Sequence, residues 1–219
     1  MKKKFELTEN YVVNEFGTKL YQIKCIKTFK YAIKGELGGY IEKEENLSQE
    51  GNAWVYGNAW VYDNAQVSGN ARVSDNARVY GNARVYGNAW VFGNAEVLGN
   101  ALVYGNARVR AAARVYGNAQ VYGAARVYSN ARVYDNARVY GNAQVRAAAR
   151  VYGNAKVYDN AKVSNNALVS GNALVSGNAW VYGNAQVYGA ARVFDSAWVY
   201  GKAQVYDDAL VYGDTKVCK

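Results

Sequence analysis

The chain has 219 residues and a formal charge of +9, with 26 Lys and Arg against 17 Asp and Glu, two Cys, no Pro and no His. Without His, and without a Cys-Xaa-Xaa-Cys spacing, neither a general base of the commonest kind nor a zinc site is offered, so no catalytic residue, metal or cofactor is expected. No stretch approaches a membrane span, Lys2, Lys3 and Lys4 run into Phe-Glu-Leu-Thr-Glu instead of an apolar leader, and Cys25 and Cys218 lie far apart; a cytoplasmic protein with free thiols is expected.

Residues 1–50 differ in composition from the rest. They hold nine Lys, eight Glu and no Arg, and are nearly neutral. Phe5-Glu6-Leu7 and Tyr11-Val12-Val13 read as two short strands. Leu20 to Ile26 alternates like a third strand, and Asn14-Glu15-Phe16-Gly17 reads as a turn. This region is expected to be a small β-rich cap over whatever follows.

From Gly51 to Cys218 a six-residue unit, Gly-Asn-Ala-Xaa-Val-Tyr, repeats 28 times without a phase slip. Val holds every fifth position, and Ala every third except at Thr215. So short a period marks a solenoid. Ala-Xaa-Val alternates as a strand does, with Ala and Val inward, and Tyr-Gly-Asn carries the bend, since Gly and Asn tolerate positive φ. Three bends close a triangle of 18 residues, so residues 18 apart should stack. The repeats, residues 51–219, then make about nine coils spaced by roughly 4.8 Å, a prism about 45 Å long. Asn fills the second position in 20 hexads, which predicts side-chain hydrogen bonds running from coil to coil, with gaps at the exceptions such as Ala112, Ala124 and Ala148.

Ala-Xaa-Val-Xaa-Gly-Asn resembles the hexapeptide repeat of left-handed parallel β-helices, found in hexapeptide acyltransferases and γ-class carbonic anhydrases. The resemblance covers about three quarters of the chain and implies a single-stranded left-handed parallel β-helix; the hand comes from it alone. Residues Gly38 to Ser48 are similar to a segment of bacterial and prophage hexapeptide-repeat proteins of unknown role, some labelled acyltransferases. Those acyltransferases generally use a His as base, and the anhydrases bind zinc through His. Neither residue set has a counterpart here, which implies a non-catalytic protein.

The variable fourth position gives three outward rows. One runs Trp54, Arg72, Trp90, Arg108, Arg126, Gln144, Lys162, Trp180, Trp198, Lys216. The second holds Arg114, Arg132 and Arg150, beside a sixth-position column of Tyr116, Tyr134 and Tyr152. At one corner Arg110, Tyr128 and Arg146 follow one another. Residues 72–162 carry thirteen Lys or Arg against four acidic residues. Two readings of this surface stand side by side. Arg and Tyr are good outward residues for any soluble β surface, spread by duplication, as the identity of Val109–Ala119 with Val145–Ala155 suggests. Alternatively they bind an anionic macromolecule, nucleic acid or an acidic protein, through Arg108, Arg110, Arg114, Arg126, Tyr128, Arg132, Tyr134, Arg146, Arg150 and Tyr152. A phage or prophage accessory or anti-defence factor is a setting for such a surface. A purely structural or self-assembling rod is the alternative, and an acyltransferase-like protein a more distant one. The last coil has no cap, so its apolar layer of Ala209, Val211 and Val217 is expected to be exposed and to join two chains as a homodimer.

Overall fold

The structure, a computed structural model, describes residues 3–219; Lys2 of the basic start lies outside the described residues. The protein is an all-β parallel solenoid of about ten turns. Strands two residues long, at the fourth and fifth hexad positions, recur every six residues and pair in parallel with strands 18 residues away, as Trp54↔Arg72 and Val55↔Val73 do. Three sheets form the three faces. The first face carries ten strands, from Trp54–Val55 to Lys216–Cys218. The third carries nine, and the second carries nine repeat strands joined to three from the N-terminal region. The outward rows are those read from the sequence. The third-position Ala lies between turn and strand, so each strand is one residue shorter than the alternation predicts.

The bend is made by one residue. The first position of every hexad takes a φ between +52° and +73°. Most bends are four-residue turns closed where the third-position N–H donates to the preceding sixth-position carbonyl, as Ala59 N does to Tyr56 O at 3.1 Å. The second-position Asn keeps negative φ, and its side chain serves the ladder. On the longest one, from Asn64 to Asn172, each Nδ2 donates to the next Oδ1 at 3.0–3.2 Å. Asp stands at the first position in several hexads and offsets the strain of a Cβ there. Its carboxylate accepts the backbone N–H of the residue 18 on: Gly81 to Asp63 at 3.0 Å and Gly93 to Asp75 at 2.9 Å are two cases. Ala111 and Ala147 take φ of 58° and 56° with no such bond.

The second-, fourth- and sixth-position amides donate to carbonyls of the following turn. Asn52 N, Trp54 N and Tyr56 N reach Gly69 O, Ala71 O and Val73 O at 2.7, 3.1 and 2.8 Å. Inside, the Ala and Val of each hexad from Ala53 to Val199 are fully buried, apart from Val67 at 1% exposure. Burying each Val contributes on the order of 1.5 kcal/mol.

Before the repeats, β1 (Phe5–Val13) pairs antiparallel with β2 (Lys19–Cys25), and β2 with β3 (Leu37–Ile41). The two strands expected within residues 5–13 are one strand, because a bulge between Leu7 and Tyr11 keeps both halves on β2. Asn14 Oδ1 accepts the N–H of Phe16 and Thr18, making the expected turn. β3 was not foreseen as a strand. It runs parallel to Trp60–Val61, so stacking begins before the first hexad. Gly38 and Gly39 let it lie that close: a Cβ on Gly38 would sit 2.6 Å from Val55 O, and one on Gly39 2.7 Å from Ala59 O. Trp54 is fully buried, with its ring edge-on to Phe5 and Phe29 at 6.3 and 5.5 Å between centroids. The buried Lys4 ammonium donates to Ala53 O at 2.8 Å and to Glu50 O and Gly51 O at 3.4 Å.

At the other end Ala209 is exposed and Val217 half-buried, but Val211 is only 7% exposed. The expectation of an open Val211 is corrected: its own turn still covers it. The open apolar surface there comes instead from Leu210 (57%) and Tyr212 (56%). Both cysteines are free, Cys25 buried and Cys218 exposed.

Candidate functional site

The ten candidate residues occupy two faces that meet at one corner. Arg108, Arg110, Arg126, Tyr128 and Arg146 lie on the first face, and Arg114, Arg132, Tyr134, Arg150 and Tyr152 on the second. The corner between them is Ala111-Ala112, Ser129-Asn130 and Ala147-Ala148, the part of the solenoid that departs furthest from Gly-Asn. Arg108, Arg110, Arg114, Arg126, Arg132 and Arg150 are exposed; Tyr128, Tyr134, Arg146 and Tyr152 are half-buried. Parallel register sets Arg108 beside Arg126, and Arg114, Arg132 and Arg150 in one row.

Like charges one turn apart repel, and the structure relieves this in two ways. Arg114 Nε pairs with Glu96 Oε2 at 2.9 Å. Arg110 lays its guanidinium over the Tyr128 ring, 4.7 Å from the centroid, while Tyr128 OH donates to Gln144 Oε1 at 3.2 Å. Arg146 is aimed away from Tyr128, towards Trp180 at 6.0 Å. Tyr116, Tyr134 and Tyr152 stack in parallel with centroids 4.8 and 4.9 Å apart. Burial, and secondly the neighbouring tyrosines, push the Tyr134 phenol above its usual pKa.

At its fourth and sixth positions the first face carries Arg72, Arg108, Arg110, Arg126, Arg146, Lys162 and Lys216 and no carboxylate. Arg72 lies 4.2 Å over Trp90, and Trp90 stacks on Phe92 at 4.2 Å. That cluster went unnoticed in the sequence, although the 18-residue spacing of Arg72 and Trp90 was its signal. So did a five-ring column on the third face, Tyr86, Tyr104, Tyr122, Tyr140 and Tyr158, at 4.8–5.0 Å. Trp54, although in the outward row, lies under the N-terminal strands. Trp60 is half-buried, with Arg78 over it at 4.5 Å, and Trp180 and Trp198 meet edge to face at 5.5 Å.

Concavities are open grooves between side-chain rows. One of ≈ 270 Å³ is lined by residues that include Arg78, Tyr80, Glu96, Arg114 and Arg132. Among the described residues no group of three His, Cys, Asp or Glu is placed to hold a metal ion, and no helix is long and apolar enough to cross a membrane. The arrangement offers rows of cations, braced by stacked rings, on a rigid repeat.

The "Uncharacterized acetyltransferase YdcK" of Escherichia coli (strain K12) is 41% identical over 61 residues, which are 25% of this chain and 19% of that protein. The chain thus matches about a fifth of that relative's length. The sequence model of the family described as "YdcK Beta solenoid repeat" matches residues 65–79, 77–93, 113–129, 131–146, 167–183, 185–201 and 203–218, just over half of the chain. With the same hexads forming the turns of the structure, the chain belongs to the YdcK β-solenoid repeat family.

Proposed function

We propose that the protein is a non-catalytic β-solenoid that binds an anionic macromolecule, nucleic acid foremost, along the edge where its first and second faces meet. The observation that carries this reading is the exposed set Arg108, Arg110, Arg114, Arg126, Arg132 and Arg150, of which Arg114 alone pairs with a carboxylate. Guanidinium groups suit phosphate oxygens. The name of the Escherichia coli relative raises acyl transfer as a rival, but the chain holds no His to act as the base that hexapeptide acyltransferases generally use.

Mobility shifts with single- and double-stranded DNA and RNA test the proposal. Affinity should fall steeply between about 50 and 200 mM salt as counterions are released. Replacing Arg110, Arg114, Arg132, Arg146 and Arg150 with Gln should weaken binding and flatten the salt slope, whereas Arg192→Gln with Lys202→Gln should change little. Absence of any shift at low salt rejects nucleic acid as the partner.

A second reading rests on Leu210 and Tyr212, exposed at the open turn together with Ala209. Two chains meeting there tail to tail would cover both open turns and form a closed dimer, with Leu210, Tyr212 and Val217 at the joint. Light scattering at tens of micromolar should give a dimer, and Leu210→Lys with Val217→Lys a monomer. A monomeric unmodified chain rejects the joint.

A further inference from the structure

The outward aromatic columns have missing rungs. On the third face the stack from Tyr86 to Tyr158 is interrupted by Ser176 and resumes with Phe194 and Tyr212, whose rings stack at 5.5 Å. Two other serines, Ser74 and Ser164 on the first face, show how the fold fills such a gap. In each case a Trp sixteen residues further on lays its indole against the serine. Trp90 Nε1 donates to Ser74 Oγ at 3.1 Å, and Trp180 Nε1 to Ser164 Oγ at 3.0 Å.

At Ser176 the residue sixteen further on is Arg192, and no indole arrives. Ser176 is 9% exposed, and its hydroxyl makes no side-chain hydrogen bond among the described residues. It lies in a cleft of ≈ 290 Å³ lined also by Tyr158, Leu174, Arg192 and Phe194. Tyr158 and Phe194 stand two turns apart, roughly 10 Å, which leaves room for one ring midway at the spacing the tyrosines keep. Aromatic rings favour such offset stacking, and a hydroxyl oxygen within the cleft can accept from a donor.

We propose that this cleft binds a flat heteroaromatic ring bearing an N–H, of the indole class, between Tyr158 and Phe194, with the ring N–H donating to Ser176 Oγ. The ring takes the place that Trp90 and Trp180 hold over their own serines. The site is on the third face, apart from the Arg and Tyr edge, so it stands whether or not nucleic acid binds there.

Ligand-observed NMR with indole and the full chain tests it. Saturable binding is expected, weakened at least tenfold for 1-methylindole, which has no N–H to donate. Ser176→Tyr restores the commonest residue of that hexad position and should abolish binding. Arg192→Trp, which brings an indole over Ser176 from within the chain, should abolish it too. The break between Tyr152 and Tyr188 on the second face leaves Ser170 more exposed than Ser176, so Ser170→Tyr should leave binding unchanged. No saturation up to the solubility of indole, equal affinity for 1-methylindole, or binding that persists in both Ser176→Tyr and Arg192→Trp would overturn the proposal.

Discussion

The first and last turns of the solenoid are built from the same hexad and end up in different states. Ala53 and Val55 are fully buried, with the N-terminal strands on one side and the second turn on the other. Ala209 and Val217 occupy the same hexad positions, but Ala209 is exposed and Val217 half-buried. The backbone differs likewise. Tyr40 N, Glu42 N and Ser48 N donate into the first turn at Ala59 O, Val61 O and Val67 O, whereas the amides of Leu210 and Lys216 make no such bond among the described residues. Burial in this fold is therefore a property of neighbouring turns, and a hexad alone cannot supply it.

The largest break in that comparison should come from placing a charge inside. Val127→Asp sets a carboxylate between buried Val layers and should cost on the order of 4 kcal/mol in denaturant melts. Val211→Asp should cost under about half of that, because its turn can fray towards water. Equal losses would mean that the end turn is as closed as the middle.

A smaller contrast concerns pH. Burial pushes the Lys4 ammonium down to about 8 from 10.5. Between those values the unfolded chain binds more protons at this site than the folded one, so the N-terminal end should gain stability as pH rises above 8. The tyrosines act the other way. Burial pushes the Tyr56 phenol up to about 12 and raises those of Tyr62, Tyr80, Tyr104 and Tyr140, so above pH 10 the unfolded chain loses protons first and stability falls. Burial also raises the Cys25 thiol from 9.0, which opposes the gain above that pH, so thermal melts should rise slightly from pH 8 to 9 and drop beyond 10. Lys4→Met should remove the rise and keep the drop.

The smallest effects lie in the bends. Gly117→Ala would put a Cβ 2.9 Å from Asp135 N at a φ of +67°, and should cost about 1–2 kcal/mol. Ala111→Gly and Ala147→Gly relieve that conformation where no carboxylate bond offsets it, and should each gain roughly 0.5 kcal/mol after the extra chain entropy of Gly. Destabilisation by Ala111→Gly would show that the corner methyl groups pack usefully.

The repeat was legible because a strict period fixes everything at once. Val at each fifth position sets the core, Ala at each third sets its width, and 18-residue spacing sets the rows. Residues 5–13 and 37–41 were less legible because they have no period. One strand was divided at its bulge, and β3 was hidden in Leu-Gly-Gly-Tyr-Ile, where Gly lowers strand propensity while permitting the close approach. In the candidate edge, the rows of Arg114, Arg132 and Arg150 and of Tyr116, Tyr134 and Tyr152 could be read off spacing. The direction of each long side chain could not: Arg110 turns to Tyr128, Arg146 to Trp180 and Arg114 to Glu96, choices set by neighbours on adjacent turns.

Residue-resolved amide hydrogen exchange tests the dependence on neighbouring turns most directly. Amides of central residues such as Arg114, Arg126 and Arg132 should exchange slowest. Those of Trp54 and Trp60 should be protected to a similar degree under the N-terminal strands, and those of Leu210 and Lys216 should exchange fastest. Uniform protection from Trp54 to Lys216, or a first turn as labile as the last, would contradict the account.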